Sequence, residues 1–200
     1  MKGSLVIISF FMAGLLLSRL NLLDALFYGA DYTSYVLYFL MFFVGISVGS
    51  DTSIVGSVKK YGFKIFLLPI ATIIGTLVGC AVLGMVWGGR SVSECMAVGS
   101  GFGYYSLSTI IINQIKGAEL GTVGLISNIS REIITLLFAP LLVTIFGRLA
   151  PISSGGATTM DTTLPIITQT SGKEFVVLAI FHGFCVDFSV PFLVTFFASL

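Results

Sequence analysis

Charge is scarce in this sequence. Ten lysines and arginines and nine aspartates and glutamates make up 10% of 200 residues, against roughly 25% in an ordinary soluble domain. A net charge of +1, with no long lysine- or arginine-rich run, leaves no basic surface for nucleic acid. Histidine occurs once and cysteine three times. Cys80, Cys95 and Cys185 stand singly in apolar stretches without a CxxC pair, so neither a disulfide framework nor a zinc site is indicated, and no metal or cofactor is expected. The HExxH, GxSxG and GxGD signatures are missing as well, so no enzymatic activity is expected. Asp161 and Asp187 form an acid pair on paper, but no neighbouring residues supply a protease geometry.

Apolar residues are abundant: 56% of the chain is hydrophobic and eighteen residues are phenylalanine, with a mean hydropathy of +1.06. This is the composition of an all-α polytopic membrane protein. A helix needs about 20 apolar residues to cross a bilayer, and on that rule seven segments stand out, at about 4–20, 34–50, 63–87, 94–115, 121–147, 154–170 and 174–198. The first has Lys2 before it and Arg19 at its end but no cleavage pattern, so it reads as a span and not a signal peptide. Connections are short, which makes residues 1–200 a single transmembrane transporter domain. The most basic loop holds Lys59, Lys60 and Lys64 and belongs in the cytoplasm by the positive-inside rule. The N-terminus is then cytoplasmic and, after seven crossings, the C-terminus lies outside, with Arg90 and Arg148 on the outer side. Tyr28, Tyr32, Tyr35 and Trp87 fall near span ends as interfacial anchors.

Three segments depart from a lipid-facing pattern: VGSGFGYYSLST (Val98–Thr109), SNISREIIT (Ser127–Thr135) and SSGGATTMDTTLP (Ser153–Pro165). Glycine clusters at membrane depth free backbone groups that lipid cannot satisfy, so such breaks are expected where they are buried or line a cavity. At least one or two of the helices are therefore expected to be broken or re-entrant, with Gly101, Gly103, Tyr105, Ser106, Gly155, Gly156, Thr158 and Thr159 as cavity lining. GFGYYSLSTIIINQIKG and GGATTMDTTLPIITQTSG share glycines, hydroxyls, paired isoleucines, a glutamine and a closing glycine, which reads either as the relic of an internal repeat or as low complexity.

Ionisable groups within spans cost on the order of 2.5–3.5 kcal/mol each and normally face a partner or a wet cavity. Arg131, Glu132 and Asp161 are such groups. Asn128, Glu132 and Thr135 share one helical face, with Arg131 beside it. Arg131 and Glu132 serve either a substrate or charges elsewhere in the bundle. Asp161 serves either a substrate or the N-cap of a half-helix starting near Thr162. Asp187 stands close to Pro191, which can open the helix there, so capping, pairing and transport stay open for it. His182, among apolar neighbours, reads as a hydrogen-bonded interior histidine.

The runs SGFGYYSLS, SNISREIITLLFAPLL and GATTMDTTLP, and then FHGF with a following VP, in that order and spacing, resemble the C-terminal portion of the LysO family of bacterial lysine exporters. The resemblance extends over essentially the whole chain. It implies export of L-lysine and toxic lysine analogues across the bacterial cytoplasmic (inner) membrane. It also implies that Glu132, in SREI, and Asp161, in TMDTTLP, are the acidic positions on which export relies, whereas Asp187 is not part of the pattern. Single-chain members of the family are longer at the N-terminus, so a small membrane subunit supplying further spans is one expectation and function without it the other.

A cationic amino acid suits these charges. Lysine carries a net +1, and Arg131, Glu132 and Asp161 sum to −1 when ionised, so the occupied site is neutral. The substrate carboxylate is expected at Arg131 or at backbone amides of a half-helix start, near Gly155–Thr159 or Gly101–Tyr105. Proton antiport is the expected coupling. A small-cation channel and a non-transporting subunit of a membrane complex are the competing readings.

Overall fold

The computed structural model describes residues 62–200 continuously, together with Ala13, Leu16, Leu17, Arg19, Tyr35, Phe39, Phe42 and Ile46, all helical. The chain divides into two compact units, Met1–Ser50 and Asp51–Leu200, and the second carries everything below. The rest of segments 4–20 and 34–50, with Tyr28, Tyr32, Lys59 and Lys60, lies outside the described residues. In chain order the second unit contains α1 (Leu67–Trp87), α2 (Val92–Gly99), α3 (Tyr105–Lys116), α4 (Ala118–Phe146), α5 (Ala150–Gly155), α6 (Leu164–Thr170) and α7 (Val176–Ser199), with 3-10 turns at Gly62–Phe66, Gly156–Met160 and Lys173–Phe175. No strand occurs among the described residues. The protein is an all-α, multi-pass membrane protein.

Among the described residues three helices are long and apolar enough to cross a membrane: Gly62–Trp87, Ala118–Phe146 and Lys173–Ser199. Their outward faces are apolar stripes at helical spacing, such as Ile70, Ile74 and Val78 on α1 and Phe188, Phe192 and Phe196 on α7, each at least half exposed. In water such stripes would be a liability; against lipid they are the solvated surface. Trp87, 79% exposed, ends α1 at the level where amphipathic rings favour the interface.

The segments expected at 94–115 and 154–170 do not cross. Each is a re-entrant hairpin of two short helices. The eight residues of α2 rise only about 12 Å, and the chain then turns at residues 100–104 and comes back as α3. Contacts fix the direction. Gly84 of α1 abuts Val92 while Gly99 abuts Cys80, so α2 runs antiparallel to α1; Gly103 then meets Asn128, and Gly121 meets Asn113, so α3 returns antiparallel to α4. An ion pair between Arg90, before α2, and Glu119, after α3, joins the two ends of this hairpin. α2 itself starts at a capping box, in which Ser91 Oγ accepts from the Glu94 amide and the Glu94 carboxylate from the Ser91 amide, an arrangement that satisfies two orphan donors at once.

The second hairpin is built likewise. α5 and α6 pack side by side through Ile152 and Ile167, which share a buried cluster with Ala179 of α7 and are flanked by Leu68 of α1. Arg148, before α5, pairs with Glu174, after α6, at 2.8 Å. Leu68 beside Ala179, and Thr72 bonded to His182, show that α1 and α7 run parallel. Hairpin two therefore enters from the end where α1 and α7 begin, and hairpin one from the end where they finish.

SNISREIIT stays helical, as a shared face of Asn128, Glu132 and Thr135 requires: α4 is continuous through Ser127–Thr135. The stretch lacks glycine and proline, and its polar side chains feed back to their own helix, Asn128 Nδ2 to Gly124 O and Thr135 Oγ1 to Arg131 O. Pro191 likewise does not open the last helix, which is α-helical from Val176 to Ser199. The hairpins also reassign the sides. Arg148 lies at the same end as Lys64 and Lys173, and Arg90 shares the opposite end with Lys116.

Candidate functional site

The tips of the two hairpins meet in the middle of the unit. The Ala157 amide donates to the Phe102 carbonyl at 2.9 Å, one backbone bond linking segments that enter from opposite ends. Phe102 is fully buried and holds φ +46, the only non-glycine positive φ among the described residues. A bulky side chain adopts that conformation only where its surroundings over-determine it. Gly156, at φ +62, lies so close that a Cβ there would collide with the Phe102 carbonyl oxygen.

Helix α4 holds both tips. Asn128, 2% exposed, accepts from Gly103 N at 2.8 Å and donates to Val98 O at 3.2 Å and Gly124 O at 2.8 Å. Three residues on, Arg131 donates Nε to Ser154 O at 2.8 Å and Nη2 to Ser153 O at 2.9 Å, with Nη1 3.3 Å from Thr76 Oγ1. Its guanidinium stands 5.7 Å from the centroid of the Phe102 ring. The last carbonyls of α5 lack helical partners, and a cation at that negative helix end is favourable. Thr135 Oγ1 meets Ser154 Oγ at 2.7 Å. Asn128, Arg131 and Thr135 thus clamp the tips, and the guanidinium is engaged without a substrate.

Helix α7 supports the second tip from the other side. Gly183 packs so closely that a Cβ would lie 2.7 Å from Met160 N and from Thr159 Oγ1. His182, fully buried, bonds Thr159 Oγ1 through Nδ1 at 3.2 Å and Thr72 Oγ1 through Nε2 at 2.9 Å. Thr159 also donates to carbonyls. Thr158 donates to Gly155 O at 3.0 Å and meets Thr163 Oγ1 at 3.2 Å. These two hydroxyls, expected as cavity lining, satisfy backbone groups freed by the break.

Glu132 sits at the midpoint of α4, half-buried, with no hydrogen bond or ion pair among the described residues. Asp161 is exposed at the end of the second tip and accepts at Oδ1 from Thr162 N, 2.5 Å away, and from Thr162 Oγ1 at 3.2 Å. It does not cap α6, whose N-cap is Thr163 without a side-chain bond. Among the described residues no hydrogen bond or ion pair joins the Glu132 side chain to Asp161 or to the Arg131 guanidinium.

The family model described as lysine exporter LysO matches residues 8–198. The chain belongs to this lysine-exporter family. A relative named lysine exporter LysO, from Escherichia coli (strain K12), is 30% identical over 175 residues, 86% of this chain and 56% of that protein. One named putative lysine exporter, from Haemophilus influenzae (strain ATCC 51907 / DSM 11121 / KW20 / Rd), is 33% identical over 168 residues, 82% of this chain and 83% of that protein. The chain therefore spans about half the length of the E. coli relative and most of the H. influenzae one. No solved structure matches.

Of the residues expected from sequence, Asn128 and Arg131 hold the two tips and Glu132 and Asp161 stand beside them, whereas the sequence reading passes over Tyr104 and leaves Asp187 open. Of the adjacent tyrosines, Tyr105 is 38% exposed and begins α3, whereas Tyr104, half-buried, directly follows Gly103 where it abuts Gly155 and Thr158 of the second tip. Asp187 was detectable by depth alone, since it falls at the middle of α7. Among the described residues no group of histidines, cysteines and acids could hold a metal ion.

Proposed function

We propose that this chain is a membrane transporter domain that exports L-lysine, and its toxic analogues, from the cytoplasm in exchange for protons. The observation that carries the reading is the meeting of two opposed re-entrant tips beside unpaired carboxylates, in a chain of the lysine-exporter family. Four short-helix termini converge there: the C-terminal ends of α2 and α5 and the N-terminal ends of α3 and α6. Carboxylates and carbonyl ends suit the ammonium groups of lysine. The carboxylate of the amino acid suits the start of α3, where the Ser106 and Leu107 amides precede the first helical bond, Ser108 N to Tyr104 O. Arg131, being engaged with α5, acts by holding the second tip in place. Glu132 and Asp161 meet the cargo's positive charge or carry the returning proton. The two compact units act as one transporter in the inner membrane, and a small membrane subunit is a matter for co-purification.

Energetics favour exchange over release. Moving a positive charge outward against an inside-negative potential costs about 2.3 kcal/mol per 100 mV, so inward charge has to compensate. One proton per lysine makes the cycle electroneutral; two add the membrane potential as a driving force. Inverted vesicles with an acid interior test this directly. Wild-type vesicles should take up lysine as protons leave, and Asp161→Asn and Glu132→Gln should each abolish that uptake and the resistance of cells to a toxic lysine analogue at unchanged membrane abundance. Uptake that follows a sodium gradient and ignores the proton gradient would remove proton coupling, and full activity in either variant would remove that residue.

A further inference from the structure

We infer that Asp187, with Asp161 and Tyr104, forms a subsite between the two hairpin tips that receives one primary ammonium group of the cargo. This rests on the export reading above and deepens it by assigning a residue that neither the sequence pattern nor the clamp around Asn128 and Arg131 includes.

Placement comes first. Asp187 lies one turn beyond Gly183 on the same face of α7, and Gly183 is pressed onto Ala157, Thr159 and Met160 of the second tip. α7 runs from the end of hairpin two toward the end of hairpin one, so the next turn brings Asp187 to the place where the tips meet. Asp161 directly follows Met160, on which Gly183 packs, and Tyr104 directly follows Gly103, which abuts Gly155 and Thr158 of the second tip, so all three residues border the junction of the tips. Three elements thus contribute one group each.

Its lack of a partner is the second observation. Asp187 is 8% exposed yet has no hydrogen bond and no ion pair among the described residues. Arg131 is committed to Ser153 and Ser154 and Arg148 to Glu174, and the His182 imidazole is held between two threonines. An unpaired carboxylate at the middle of a membrane helix, facing a second carboxylate, is doubly unfavourable. A bound ammonium relieves both penalties, and it does so only while the cargo is present. Asp161, exposed on the tip, can meet the ammonium before Asp187 encloses it.

The experiment is lysine counterflow by the purified full chain in liposomes, with a double-mutant cycle. Asp187→Asn should raise KM for lysine at least about tenfold, and so should Asp161→Asn, whose loss of proton-driven uptake leaves lysine-for-lysine exchange measurable; the double variant should be little worse than the worse single one, because the two side chains share one ammonium. Asp187→Glu should recover part of the affinity. Thermal unfolding in detergent separates binding from folding: every variant should melt close to the wild type without lysine, while the stabilisation by lysine should be lost in Asp187→Asn. An unchanged KM in Asp187→Asn, or multiplicative effects of the two variants, overturns the shared subsite while leaving the export reading intact. A wild-type chain that shows neither counterflow nor stabilisation by lysine overturns the export reading, and the subsite with it.

Discussion

At the scale of single residues, the tips are held by atoms that leave no room for change. Gly156 combines φ +62 with the Phe102 carbonyl at its α-carbon, so both the conformation and the space exclude a side chain. Gly156→Ala should therefore destabilise the protein by more than the 0.4–1 kcal/mol that Gly→Ala exchanges typically gain at compatible sites, on the order of 2–3 kcal/mol, the range of named backbone and packing defects. The measurement is the unfolding midpoint in detergent. A variant that melts with the wild type would show that the Ala157–Phe102 junction yields easily.

At the scale of elements, the hairpins depend on α4. Each is too short to be stable alone in a membrane, because its turn carries amides and carbonyls that lipid cannot satisfy. Asn128 meets two of those groups on the first tip, Gly103 N and Val98 O. Asn128→Ala leaves both without a partner and should cost about 1–3 kcal/mol for each buried group left unsatisfied. Asn128→Asp keeps an acceptor for Gly103 but loses the donor, and puts a second carboxylate one turn from Glu132. Limited proteolysis and lysine counterflow should show the first hairpin loosened and transport lowered in both variants, more so in the aspartate one. Equal transport in wild type and Asn128→Ala would mean that the α2–α3 turn is held by α1 and α7 alone. The glycine-and-hydroxyl likeness of the two tip sequences also finds its meaning at this scale: each ends at a positive-φ glycine, Gly117 at +90° and Gly172 at +112°, just before a long span.

At the scale of the whole molecule, the hairpins change the accounting of sides. Three described helices cross, not five, so Lys64, Arg148 and Lys173 share one end and Arg90 and Lys116 the other. In the sequence Lys59 and Lys60 shortly precede Lys64, so the positive-inside rule predicts that the end with Lys64 is cytoplasmic. Removing two crossings leaves the parity unchanged, so the expectation of a C-terminus outside is unaltered. In a cysteine-free background, Lys116→Cys should react with an impermeant maleimide in whole cells, and Lys64→Cys only after the membrane is opened. The reverse pattern would invert the orientation and make the second hairpin the outward-facing one.

Composition and periodicity were enough to determine the membrane class, the five segments between Gly62 and Ser199, the glycine-rich breaks at Gly101–Gly103 and Gly155–Gly156, and the polar face of α4. These follow from local chemistry: apolar length, helical spacing, and the backbone freedom of glycine. Whether a broken segment crosses or turns back was not legible, because a crossing pair and a hairpin of short helices have the same hydropathy. Only tertiary contacts, Gly99 on Cys80, Gly121 on Asn113 and the ion pair Arg90–Glu119, decide it. The same holds for charge. Sequence offers Arg131 to a substrate or to a charge elsewhere in the bundle, but the guanidinium goes to the open carbonyls of α5, at Ser153 and Ser154. Likewise Gly183 of α7 is seated on Ala157, Thr159 and Met160 of the second tip, and this seat carries Asp187, one turn on, toward the junction, a nearness that no spacing along the chain records.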